Sequence, residues 1–317
     1  MAGGGESKKA VVAALLANAG IAVAKFVAFL ITGASSMLAE SVHSVADSGN
    51  QGLLLFGGAR SQKQATAVHP FGYGRERYFW AFVVSLVLFT LGAVFAVYEG
   101  IEKVRHPHEV TSPAVAIGVL LLAIVLETLS LRIAVREANK VRGDTGWVSF
   151  IRHSKNPELP VVLLEDIGAE AGLFLALGGV TLSLSTGNAN WDAYATISIG
   201  ALLGVIAVIL AIEMKSLLIG EGGSKSDVEG IRDAVESTPG VERLIHIRTL
   251  HLGPDELLVG AKLALEPALS VAEVAATINA AERTLRERVP IARVVYLEPD
   301  LLATTATTAT TTAPEPV

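Results

Sequence analysis

The 317-residue sequence contains no cysteine and has few charged residues. Without cysteine, the chain has no disulfide bonds, no thiolate metal ligands and no cysteine nucleophile. Charged residues make up 18% of the chain, whereas soluble domains average roughly 25%. The net charge of −6 argues against a basic nucleic-acid binder, so we expect no nucleic-acid partner. Proline and glycine are too scarce for a fibrous or wholly disordered chain.

The charge that is present is unevenly distributed. Charged residues number 33 in residues 1–221 but 22 in the 80 residues of 222–301, and the second fraction is typical of a soluble domain. Paired glycines, which punctuate chains, lie at the boundary. The sequence therefore predicts a disordered start, a membrane domain, a soluble domain and a disordered Thr/Ala-rich tail, at 1–9, 10–221, 222–301 and 302–317.

Six apolar runs are long enough to cross a bilayer, which takes roughly 20 residues per helix. These runs are 10–32, 37–59, 78–100, 112–134, 160–185 and 193–217. Basic residues concentrate before the first run, after the sixth, and in the links that follow runs two and four. By the positive-inside rule, both termini and the soluble domain are cytoplasmic. No organelle-targeting segment is evident, so we expect an integral protein of a bacterial inner membrane.

Two runs carry ionisable side chains at helical spacing, which by default mark a functional site in a membrane. In the second run, His43 and Asp47 are four residues apart and share one face of a helix. In the fifth, Asp166 and Glu170 have the same spacing, about 40° apart around the helix. Glu165 lies about 140° from Glu170, so we keep it as a secondary ligand candidate.

Together the two pairs supply one imidazole and three carboxylates. This set suits tetrahedral Zn²⁺, and it also accommodates Mn²⁺, Fe²⁺ or Co²⁺. The alternative is structural: His43 and Asp47 would only hydrogen-bond each other or the first run. Likewise, Glu165 and Asp166 would sit at the cytoplasmic edge, shortly after the prolines of 157–160.

The sequence resembles the cation diffusion facilitator family of divalent-cation/proton antiporters. The resemblance covers about 8–301 and rests on the six runs, the two ionisable motifs, the soluble domain, and the stretches of 36–47 and 69–75. It implies a homodimer formed through the membrane and C-terminal domains. It also implies a transport site of His43, Asp47, Asp166 and Glu170, with zinc efflux in exchange for protons. Zinc-transporting relatives often place His and Asp where this chain has Asp166 and Glu170, which leaves the metal open.

Other sites of the family are reduced here. Some relatives bind zinc in the loop after the second run through an Asp and two His, of which this chain keeps His69, with Thr66 and Tyr73 at the other two places. A lone loop histidine is more often a surface residue than a ligand.

The soluble domain is predicted to have the order helix, strand, strand, helix, strand, at 226–237, 241–252, 257–265, 270–289 and 292–297. Ser270 and Glu273 form a capping-box pattern at the start of the second helix. The order fits an α+β, ferredoxin-like domain behind the helical membrane domain. His246 and His251, five residues apart on one strand, face opposite sides. His251, Glu298 and Asp300 are a secondary metal-site candidate, and a polar edge or dimer contact is the preferred interpretation.

We therefore predict a metal transporter embedded in a lipid bilayer, and not an enzyme. A membrane metal hydrolase is disfavoured because neither a His-Glu-x-x-His nor a Gly-x-Ser-x-Gly motif occurs. The other alternative is a non-transporting metal sensor or scaffold that signals through the C-terminal domain. It would require tight metal binding within 222–301, which the two histidines of that region argue against.

Overall fold

The computed structural model describes residues 19–107 and 112–302. The chain divides into two compact units, the first ending at Ile219 and the second beginning at Gly220. The predicted disordered segments, 1–9 and all of 302–317 except Leu302, lie outside the described residues, as does the start of the first apolar run. Each unit has its own hydrophobic core.

All regular secondary structure in the described part of the first unit is helical. Its helices are α1 (Ala19–Thr32), α2 (Ser35–Ser61), α3 (Glu76–Arg105), α4 (Pro113–Arg142), the short α5 (Trp147–His153), α6 (Glu158–Thr186) and α7 (Asn190–Ile219). Within α3, residues Leu88–Val94 widen into a π-helical segment. Helix α5 lies in a link for which no helix was predicted.

Four helices of the described chain are long and apolar enough to span a membrane: α3, α4, α6 and α7. Six spans are therefore not confirmed by length and composition. Helix α2 has 27 residues, but the buried polar groups Glu40, His43, Asp47 and Asn50 lower its hydropathy. Helix α1 is described over fourteen residues only. Large apolar side chains such as Leu122 and Val125 of α4 are more than half exposed, as in a helix that faces lipid.

Small residues allow the helices to approach closely. Helix α6 packs between α4 and α7, and α7 packs on α3. At the α3–α7 contact, a Cβ on Gly200 would lie 2.7 Å from Val97 Cγ2 and 2.9 Å from the Ala93 carbonyl oxygen. Close approach through small residues is a common way for helices to associate in membranes.

Gly200→Leu is therefore expected to lower the stability of the first unit by about 1–3 kcal/mol, because the side chain would overlap α3 backbone. Thermal unfolding in detergent measures this loss. The matched control is Gly178→Leu on α6, whose Cβ would meet no atom within 4 Å in the described structure. If the two variants unfold at the same temperature, the α3–α7 contact is not as close as described.

The second unit has the order α8 (Lys225–Glu236), β1 (Val241–Gly253), β2 (Glu256–Leu265), α9 (Val271–Arg288) and β3 (Ala292–Asp300). This is the predicted order, with boundaries shifted by at most three residues. Strand β2 is central, antiparallel to β1 and parallel to β3. The predicted capping box of α9 is present: Ser270 Oγ accepts from the Glu273 N–H, and the Ser270 N–H donates to Glu273 Oε2 at 2.7 Å.

Candidate metal centre

Helix α2 carries a buried pair of potential metal ligands. His43 Nδ1 lies 3.5 Å from Asp47 Oδ1, and the side chains are 1% and 12% exposed. Both ring nitrogens of His43 and Asp47 Oδ1 are buried and have no hydrogen-bond partner among the described residues. Buried polar atoms almost always have a hydrogen-bond partner, so three unpartnered atoms in one place are candidates to bind a cation.

The start of α2 is fixed by an acidic side chain from α7. Asp192, which is fully buried, accepts hydrogen bonds from the Ser35 N–H at 3.0 Å, from the Ser35 hydroxyl at 3.1 Å, and from the Ser36 hydroxyl. The first N–H groups of a helix have no partner within the helix, and the positive end of its dipole favours an anion. Asp192 therefore caps α2 and fixes the helix that carries His43 and Asp47.

Helix α6 directs two of its carboxyl groups toward α4. Asp166 Oδ2 accepts from the Ser130 hydroxyl at 3.2 Å, and Glu170 Oε1 accepts from the Thr128 hydroxyl at 2.8 Å. Asp166 and Glu170 thus occupy one side of α6, and the second oxygen of Glu170 is buried without a partner among the described residues. Asp166 is buried just over two turns inside α6 rather than exposed at its edge.

Glu165 points in the other direction, toward α2. Its Oε1 accepts a 2.7 Å hydrogen bond from Asn50 Nδ2, and both side chains are buried. Asn50 is three residues beyond Asp47, so it lies on the neighbouring turn of α2. The carboxyl group that is directly joined to α2 is therefore that of Glu165, which the sequence spacing ranked below Asp166 and Glu170.

A further buried acid, Glu127, lies on α4, and the sequence analysis did not single it out. It is 7% exposed. Asp47 interacts electrostatically with Glu165, Glu127 and Asp166, and Glu127 in turn interacts with Glu170. The available signal was its position as an acidic residue within an apolar run, which by itself marks a candidate functional group.

The structure thus joins His43 to Asp47 and places Glu165, Asp166 and Glu127 within electrostatic range of Asp47. Glu170 lies one turn further along α6. Over the part of the chain that is described, no three His, Asp or Glu side chains are close enough together to hold a metal ion. The four predicted ligands are therefore distributed over facing helices in this conformation.

His69 lies in an exposed turn between α2 and α3. Its ring lies against that of Tyr73 in a tilted arrangement, with centroids 4.6 Å apart, and its backbone N–H donates to Thr66 Oγ1 at 3.1 Å. Thr66, His69 and Tyr73 are therefore adjacent, and His69 is the one imidazole among the three.

In the second unit, the structure places His251 far from Glu298 and Asp300. His251 is opposite Leu257, at the start of β2, whereas Glu298 is opposite Lys262. Five residues of a strand separate the two positions, roughly 16 Å at about 3.3 Å per residue. His251 is buried and its Nδ1 lies 3.2 Å from the Gly253 carbonyl oxygen, while His246 is exposed.

The two acids at the end of β3 contact a lysine. Lys262 Nζ lies 2.8 Å from Asp300 Oδ2 and 3.3 Å from Glu298 Oε1. The hydrogen bonds that the Lys262 ammonium donates, first to Asp300 and then to Glu298, raise the pKa of Lys262. The same ammonium lowers the pKa of the Asp300 carboxyl. The arrangement is an exposed salt-bridge cluster, which matches the polar-edge interpretation.

Comparison with protein families gives two matches that together cover most of the chain. Residues 11–219 match the cation efflux transmembrane domain, and residues 224–300 match the cytoplasmic domain of cation efflux proteins, whose family model is named for a dimer.

Among individual relatives, the mouse proton-coupled zinc antiporter SLC30A9, which is mitochondrial, is 30% identical over 77% of this chain and 44% of its own length. Metal tolerance protein C4 of Arabidopsis thaliana is 30% identical over 78% of this chain and 55% of its own. The chain therefore spans about half the length of these relatives. The magnetosome protein MamB of Paramagnetospirillum magneticum is 26% identical over 84% of this chain and 85% of its own. A solved MamM C-terminal domain aligns with 24% of this chain and 96% of its own, at 17% identity and a TM-score of 0.24.

Proposed function

Because the chain belongs to the cation efflux family, also known as the cation diffusion facilitators, we propose that it exchanges a divalent metal cation, Zn²⁺ first among them, for protons across a membrane. One observation carries the proposal: His43 and Asp47, buried in α2, leave both imidazole nitrogens and a carboxylate oxygen without hydrogen-bond partners among the described residues. Imidazole and carboxylate are common ligands of Zn²⁺.

We assign the transported ion to His43, Asp47, Asp166 and Glu170. Glu165 is the alternative acid, since Asn50 joins it to α2. Because no three of these groups meet in the described conformation, metal binding requires α2 and α6 to move relative to each other. Such a rearrangement is the general pattern of alternating access around a central site.

Protons are the proposed counter-ion because they compete with the metal for the same atoms. Metal ligation requires a neutral imidazole and ionised carboxyl groups, so binding releases protons and weakens as the pH falls. His43 is the proposed proton carrier, because the ring nitrogen that would ligate the metal can bind a proton once the metal has left. The SLC30A9 relatives are proton-coupled zinc antiporters, which supports both the ion and the counter-ion.

We propose six membrane spans with both termini cytoplasmic, a cytoplasmic domain over 222–301, and a homodimer. The match to the family's cytoplasmic domain supports the homodimer. The inner membrane of a bacterium is the proposed location. Because the SLC30A9 relatives are mitochondrial, an organelle membrane is the alternative. Localisation of a tagged chain in its source cell distinguishes the two locations.

A flux assay tests the function. The purified chain is placed in liposomes that contain a pH-sensitive dye, and Zn²⁺, Mn²⁺, Fe²⁺ or Co²⁺ is added outside. We expect Zn²⁺ to drive proton movement that empty liposomes do not show. A folded protein that moves none of the four ions, while 222–301 in the full chain binds Zn²⁺ tightly, would instead support the sensor or scaffold.

A further inference from the structure

A lysine is buried beside the candidate metal centre. Lys25 of α1 is fully buried, and its ammonium lies 3.1 Å from Glu40 Oε2 and 2.8 Å from Ser44 Oγ. Ser44 directly follows His43. The ammonium therefore contacts the helix that carries the candidate ligands, at the residue that follows the first of them.

The charges around this lysine are strongly unbalanced. Among the described residues, the buried lysines and arginines are Lys25 and Lys103 alone. Lys103 of α3 interacts with Asp192 at the start of α2, away from the centre. Lys25 is therefore the buried cation nearest to the interior carboxyl groups of the centre. These groups are Glu40, Asp47, Glu127, Glu165 and Asp166.

The partner of Lys25 also contacts the opposite helix. Glu40 Oε1 is buried without a hydrogen-bond partner, and a Cβ on Gly172 of α6 would lie 2.5 Å from it. Gly172 is two residues beyond Glu170. Because Gly172 has no side chain, the Glu40 carboxyl of α2 has room against α6. The Lys25–Glu40 pair therefore lies where α1, α2 and α6 come together.

We propose that Lys25 is a fixed internal counter-cation of the transport site, which keeps metal affinity low enough for release. The inference rests on the proposed function. An ammonium near a divalent ion opposes its binding, since charges in a poorly hydrated interior interact strongly. It also compensates the excess of carboxyl groups when no metal is bound. Glu40 holds the ammonium in place and partly neutralises it.

The test is the sign of the change in Zn²⁺ affinity, measured by equilibrium dialysis of the purified full chain in detergent. Lys25→Met removes the opposing charge, so the Zn²⁺ dissociation constant is expected to fall about tenfold. Glu40→Gln leaves the ammonium unneutralised, so the constant is expected to rise about tenfold. The double variant restores the balance and is expected to lie within about twofold of wild type.

A purely structural role of the pair predicts a different result, since breaking it from either side would weaken Zn²⁺ binding in both single variants. Lys103→Met is the matched control for loss of a buried lysine and is expected to leave the affinity unchanged. If Lys25→Met does not fold, the comparison of Glu40→Gln with the double variant decides, because removal of Lys25 must then restore affinity.

The outcomes separate the two proposals. A wild-type chain that binds no Zn²⁺ and transports none of the four ions overturns the proposed function, and the role of Lys25 with it. Wild-type binding combined with shifts of the same sign in both single variants, or with no shift in either, overturns the role of Lys25 alone.

Discussion

Asp47→Asn is expected to reduce the initial rate of metal flux in proteoliposomes by at least about 100-fold. The substitution keeps the shape of the side chain but removes the negative charge and one oxygen ligand from the centre of the proposed site. Loss of an outer partner of a metal ligand typically costs 10–100-fold in affinity or activity, so loss of a direct ligand should cost at least the upper value.

Ser48→Ala provides the control for this variant. Ser48 is the next residue of α2, and its hydroxyl donates to the Ser44 carbonyl oxygen at 3.0 Å. We expect flux close to that of wild type, because this hydrogen bond lies within the helix. A folded Asp47→Asn protein with normal flux would exclude Asp47 from the transport site.

Three variants on α6 are expected to differ in severity. Asp166→Asn and Glu170→Gln should each reduce flux by about 100-fold, whereas Glu165→Gln should reduce it only a few-fold. The reason is the proposed ligand set, in which Asp166 and Glu170 share one side of α6. Their hydroxyl partners Ser130 and Thr128 lie on α4.

The same three measurements discriminate between the two choices of acid. Glu165 is the carboxyl group that contacts α2, through Asn50. If Glu165→Gln is as damaging as Asp166→Asn while Glu170→Gln transports normally, the ligands of α6 are Glu165 and Asp166. Circular dichroism and size-exclusion chromatography show whether each variant is folded, so that a loss of flux is attributed to the site.

The sequence was sufficient to predict most elements of the second unit. Strands β1, β2 and β3 are marked by apolar, β-branched runs and a turn at 253–255, and these signals are local. The capping box of Ser270 and Glu273 is equally local, because its partners are three residues apart. Such signals depend on neighbours along the chain, which a single sequence displays.

The candidate centre was predictable only in part. Helical spacing indicates which side chains share a face of one helix, as for His43 and Asp47, but not which helix that face meets. The contacts of Glu165 with Asn50 and of Asp192 with Ser35 join residues 115 and 157 positions apart. No local pattern records such distances, so the position of Glu165 beside α2 and the cap of α2 required the structure.

The partner of Lys25 shows the same limit. The sequence left open whether Lys25 offsets the acidic site or pairs with Glu40, and the structure shows that pair at 3.1 Å. Glu127 was overlooked because it has no ionisable neighbour at helical spacing within its apolar run. Its relation to Asp47 and Glu170 depends on the packing of α4 against α6.

Whether His43 and Asp47 bind the transported ion is tested most directly by locating the bound metal. Crystals of the full chain grown with Zn²⁺, with diffraction measured at the zinc absorption edge, locate the ion independently of any transport assay. If His43 and Asp47 bind the transported ion, an anomalous peak is expected about 2.0–2.2 Å from a His43 ring nitrogen and an Asp47 carboxylate oxygen, with oxygens from α6 completing the site. A peak elsewhere in the membrane unit, with α2 and α6 free of metal, would contradict it.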